Sequence, residues 1–201
     1  SAALTTGVVS SLSSTQMGAL TSDQVTALTT AQAASLTATQ ASGITTSQTA
    51  ALESGDLNKL TTSAFEALNT AVVAGLSSTQ VGALTSAQVT ALTTAQAAAL
   101  TSTQAVGLTT SQAAGLESGD LNKLTTDAFA AIDPSVTAKL SSTQMGALTT
   151  AQITALTTAQ AAALTSTQAQ GITTVQTAAL ETADLSALTT SAFAAMATGV
   201  V

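Results

Sequence analysis

A large apolar residue returns at every eighth position of this chain, from Leu4, Leu12, Leu20, Leu28, Leu36, Ile44 and Leu52 through to Leu188 and Met196. Every one of these anchors is Leu, Ile or Met. With the anchor as position one, position two is Thr, Ser, Asn or Asp in nearly every octad, as at Thr29, Ser77, Asn69 and Asp133. Position five is Gln in runs of five octads: Gln16 to Gln48, Gln80 to Gln112 and Gln144 to Gln176. A hydroxyl followed three residues later by Gln is a capping box. The hydroxyl accepts from an orphan amide of the new helix, and the Gln side chain returns to the cap's own amide. Position six is a second apolar site, as at Met17, Val25, Leu57, Phe65, Val81 and Ile153. If position two is the N-cap, positions one and six are the pair that forms a hydrophobic staple. The pattern therefore predicts one short helix per octad, started at position two.

The octad Ile132-Asp133-Pro134-Ser135 tests that phase, because it holds the only proline. Asp133 falls at the N-cap and Pro134 at the first helical position, where both residue types are favoured. A proline in mid-helix or in a central strand would be costly. Position eight is usually Ala or Gly, as at Gly43, Gly75, Gly107, Gly115 and Gly171. Small residues suit a helix end where backbones turn or approach closely. One continuous helix does not fit, because eight residues leave each anchor about 80° out of phase with the last. Helices this short are marginal alone and must be held by stacking on other octads. The expected fold class is an all-α solenoid of very short helices, one per octad, with a β-solenoid as the alternative.

A longer period lies above the octad. Residues 12–75, 76–139 and 140–201 are near copies, 64 residues apart, and residues 1–11 form a partial unit. We read residues 1–201 as a single continuous repeat array. Each unit holds five capping-box octads and then three variants. The acidic octad Leu52 to Lys59 returns identically at Leu116 to Lys123 and loosely at Leu180 to Ala187. The Phe octad (Leu60 to Ala67) and the Val octad (Leu68 to Gly75) replace Gln with Ala64 and Val72, and later units repeat this. That widening predicts a periodic apolar strip, and with it contacts between copies through Phe65, Val72, Val73, Phe129, Val136, Phe193, Val200 and Val201.

Composition then removes most chemistry. Only 6% of the residues are charged and 1% aromatic, with no Cys, His, Trp or Tyr. An ordinary domain has about 25% charged residues. Disulfides, thiolate metal sites and a Ser-His-Asp triad are therefore excluded. No phosphate-binding glycine loop is present, no cofactor is expected, and the chain reads as a non-enzyme. The acid pairs Glu53 with Asp56, Glu117 with Asp120, and Glu181 with Asp184 fit helix N-termini, where negative charge is favoured. They are also weak calcium candidates, since calcium takes oxygen ligands. The net charge of −7, with Lys59, Lys123 and Lys139 as the only cations, predicts no nucleic-acid partner. No apolar run approaches the roughly 20 residues of a membrane-spanning helix. Ser1 begins no visible signal peptide, and the missing initiator Met suggests a processed product or a fragment.

Two resemblances follow. Leu-Thr-x-x-Gln-Val resembles the opening of the first helix in transcription activator-like effector repeats over about six residues, without that family's longer repeat or base-reading loop. We take it as shared helix-start chemistry. Over nearly the whole chain, tandem Leu-Thr-Thr-Ala-Gln-x-x-Ala octads resemble the repeat tracts of very large, Ala/Thr-rich secreted or surface proteins of Gram-negative bacteria. Such a resemblance implies an adhesin-like or structural role at the cell surface or outside the cell. The expected function is an extracellular structural repeat protein, a stalk, sheath or filament subunit whose partner is itself. The alternative is an adhesin or ice-binding module that presents a regular array of Thr, with Thr29, Thr37 and Thr45 as an example of the spacing. Solvent-facing Thr at position three would favour that alternative.

Overall fold

The structure is a computed structural model that describes residues 5–198. Among these residues there is no strand, and short helices follow one another at the octad spacing. The β-solenoid alternative is thereby set aside: the chain is an all-α solenoid. Helices Ser14–Gly18, Ser86–Thr90 and Thr94–Ala98 are typical, each beginning at position three of its octad. Ser13, Thr85 and Thr93 are their N-caps, in extended backbone, and each completes a capping box with the Gln three residues on. In the proline octad, Asp133 accepts from the Ser135 amide and Pro134 opens the helix Pro134–Thr137.

The helices stop because the next cap competes for the chain. At the end of Thr94–Ala98, Ala99 is still near-helical, but Leu100 turns inward and the cap residue Thr101 is extended with ψ near 163°. The last helix supplies a control. Thr190–Thr198 runs on through the anchor Met196, where position two is Ala197, a residue with no oxygen to accept from an amide. Two octads wind as 3-10 rather than α-helix, Thr46–Ala51 and Ala113–Gly115.

The stacking register follows from the contacts. Each helix touches the helix three octads away, as Ser102–Ala105 touches Thr126–Ala130. Side-chain hydrogen bonds reach back as far as 31 residues, as from Gln40 to Val9. Between three and four octads therefore complete one turn of the solenoid. Anchors and position-six residues from successive turns fill one buried cluster that runs from Val9 to Met196. It is thin: Leu, Val, Ile and Met beside many Ala, with Phe65 and Phe129 as its largest members.

The small residues at position eight have one of the two expected causes. Among the described residues no glycine has positive φ, so none is needed to reverse the chain. Close approach is the cause instead. A Cβ on Gly43, Gly107 or Gly171 would run into the backbone carbonyl of Ser14, Ser78 or Ser142, one turn back.

Candidate functional site

The octad places a buried polar line along the inside of the solenoid. Twelve Gln residues, from Gln40 to Gln176, bridge to the preceding turn in the same way, Gln96 with the Glu66 carbonyl in place of Phe65's, and Gln104 shows the full set. Its Oε1 accepts from the Thr101 amide at 3.0 Å. Its Nε2 donates to the Val73 carbonyl at 2.7 Å and the Leu76 carbonyl at 2.9 Å, one turn back. Gln88 does the same to Leu57 and Leu60, and Gln152 to Leu121 and Leu124. One side chain thus starts its own helix and fastens it to the preceding turn. These amides are sealed from solvent, Gln104 at 2% exposure. A buried carbonyl without a donor would cost about 1–3 kcal/mol, so the ladder is needed as well as permitted.

Sequence reasoning assigned Gln only to the capping box and missed this second role. A signal for it existed. Glu serves a capping box as well as Gln does, yet Glu never stands at position five. Unlike a carboxylate, the amide offers an acceptor and a donor together.

The apolar residues expected at contacts between copies lie elsewhere. Phe65 and Phe129 are fully buried, and Val72, Val73 and Val136 are at most 2% exposed. The widened apolar face of the Phe and Val octads fills the core, where the long Gln side chain is missing, and forms no surface strip. Phe193 differs, being half exposed: no described turn follows to cover it, as later turns cover Phe65 and Phe129. Val200 and Val201 lie outside the described residues.

In the acidic octads, position five is Asp. Asp56 and Asp120 are 7% exposed and Asp184 is 3% exposed, while Glu53, Glu117 and Glu181 at the N-caps are exposed. Those three Glu make no side-chain cap bond. Burial, and then the negative charge of Glu53, hold the Asp56 carboxyl above the usual carboxylate range. Each acidic octad brings two of the calcium candidates near each other, and among the described residues no third Asp or Glu joins a pair to make a group that could hold a metal ion. The Oδ1 atoms of Asn58 and Asn122 in the same octads are sealed and unbonded. A hollow of about 310 Å³ opens beside the second acidic octad, with Glu117, Lys139, Ser141 and Gln144 on its wall. Among the described residues, no helix is long and apolar enough to cross a membrane.

Comparison with known proteins agrees with the octad. No curated protein and no solved structure shows significant similarity. The family model for the ALTTAQ repeat matches residues 2–30, 49–86 and 137–174, just over half of the chain. With the octads, the capping boxes and these three matches in place, the chain belongs to the ALTTAQ repeat family.

Proposed function

We propose that the chain is a structural, distance-setting segment of a secreted or cell-surface protein, a stalk, sheath or filament subunit that associates with copies of itself. The observation that carries this reading is the amide ladder. Every rung joins one turn to the turn before with the same donors and acceptors, so length is added by repetition without any new kind of contact. The ladder also supports self-association. Gln16 and Gln24 are exposed, and their Nε2 groups meet no carbonyl among the described residues. Phe193 stands half exposed at the other face. These two faces accept one more turn of the same octads, from further chain or from a second copy. Little surface charge keeps copies apart. Head-to-tail stacking of this kind does not close and yields fibres. The extracellular setting rests on the resemblance to surface repeat tracts. In this reading the chain catalyses nothing and its acidic charge repels nucleic acid.

Negative-stain microscopy with light scattering on the purified chain tests the proposal. Rods that grow into linear arrays with concentration are expected, and Phe193→Asp should shorten them. A monodisperse monomer at high concentration would overturn the self-association.

One observation favours the second reading, a module that displays Thr. Thr30, Thr46, Thr62, Thr94, Thr110, Thr150 and Thr158 at position three are all exposed. An assay of ice recrystallisation on the same sample decides it. Inhibition would support Thr display, and its loss in a Thr94→Val, Thr110→Val, Thr158→Val variant would assign it to this position.

A further inference from the structure

Asp replaces Gln at one ladder position in every unit, and a carboxylate cannot make the bond that Gln makes there. Gln80 donates to Leu52, Gln88 to Leu60 and Gln152 to Leu124, each 28 residues back. The same step from Asp56, Asp120 and Asp184 leads to Leu28, Leu92 and Leu156. Among the described residues, no donor reaches those three carbonyls, and no hydrogen bond is made by the three carboxyls. Yet all three carboxyl side chains are more than nine-tenths buried. They are absent from the sealed atoms, so solvent protons reach them. An ionised carboxylate at this ladder position has no donor to offer an anchor carbonyl, and burial disfavours its charge. A protonated carboxyl has what Gln has, one acceptor and one donor.

We infer that Asp56, Asp120 and Asp184 are proton-operated clasps in the ladder: protonated, each donates its O–H to the anchor carbonyl one turn back, and ionised, each releases it. The proton comes from solvent and returns to it. The Asp side chain is one methylene shorter than Gln, so closing the clasp draws the two turns together. This holds whether or not the chain forms filaments.

Nothing charged on the facing helices competes with the proton. Ser54–Leu57, which carries Asp56, packs on Thr30–Ala34 and Ser78–Ala83. Ser118–Leu121 packs on Thr94–Ala98 and Ser142–Ala147, and Thr182–Ala187 on Thr158–Ala162. None of these facing helices contains an ionisable residue. The charged groups nearby are in the acidic octads themselves, Glu53 with Lys59, Glu117 with Lys123, and Glu181, together with Lys139 across the hollow from Glu117. The raised titration of Asp56, from burial and then from Glu53, has the sign the clasp requires. A carboxyl whose folded pKa is raised contributes stability below its unfolded pKa and loses it as pH rises through the folded one.

The test compares the full chain with an Asp56→Asn, Asp120→Asn, Asp184→Asn variant, whose amides keep a donor at every pH. Urea midpoints are measured from about pH 4 to about pH 7, the range in which raised carboxyls titrate. The natural chain should lose midpoint relative to the variant as pH rises, by about tenfold in the folded-to-unfolded ratio for each unit that a clasp is raised. Carboxyl ¹³C titration of the natural chain should place Asp56 above the usual carboxylate range. Parallel midpoint curves for the two chains, or an Asp56 carboxyl that titrates at or below the usual range, would overturn the inference. If the variant failed to fold, the ¹³C titration alone would decide.

Discussion

Gln104→Glu separates the two roles of the ladder glutamine. The change keeps size, shape and the capping acceptor, and swaps Nε2 for a second oxygen. Two bonds are lost, to Val73 at 2.7 Å and to Leu76 at 2.9 Å, at about 1 kcal/mol net each. The new oxygen then faces both carbonyls in a site that is 2% exposed. Burying that unmet acceptor and its charge brings the total to about 3–5 kcal/mol at neutral pH. The reference change is Thr101→Ala, which removes the bond from the Gln104 amide and the hydroxyl's donation to Gln104 Oε1, leaves both bonds to the preceding turn in place, and should cost about 1 kcal/mol. Both are read by urea titration followed by circular dichroism at about pH 7. Near pH 4 the Glu variant should recover part of its loss, because a protonated carboxyl donates to one of the two carbonyls. A Glu variant less affected than Thr101→Ala at neutral pH would refute the ladder, since Glu and Gln serve a capping box alike.

Leu92→Ala empties an anchor position that is 7% exposed and should cost roughly 2–5 kcal/mol, against about 1 kcal/mol for the neighbouring cap change Thr93→Ala; a reversed order in urea would misplace the core. Gly107→Ala and Gly119→Ala should differ in sign. The first forces a Cβ onto the Ser78 backbone and should lower the melting temperature, while the second meets nothing within 4 Å and should stabilise its helix by about 0.5–1 kcal/mol. Asp133 should titrate below the usual carboxylate range, because the Ser135 side chain and then its amide donate to the carboxylate. Its share of stability is present at neutral pH and lost as pH falls through that lowered value, opposite in sign to Asp56; Ser135→Ala should move the ¹³C titration of Asp133 upward.

The helices were legible in the sequence because each rests on local chemistry. Thr, Gln and the staple pair sit within six residues, and Pro134 fixes the phase independently. The turn of the solenoid was not legible, because it depends on bonds 28 to 31 residues long that the octad period leaves undetermined. The Phe and Val octads misled for a related reason. A wider apolar face marks a surface strip only if the core is already full, and the core is short of volume wherever Ala64 or Val72 stands in place of Gln. Phe65 supplies that volume. The run through Met196 was foreshadowed by Ala197, the one position-two residue with no side-chain oxygen.

Side-chain amide exchange reads the amide ladder directly. In ¹⁵N spectra of the folded chain, the Nε2 protons of the twelve laddered Gln, from Gln40 to Gln176, should exchange slowly. Those of Gln16, Gln24 and the exposed Gln170 should exchange as in a free side chain. Uniformly fast exchange across all the Gln side chains would contradict the account.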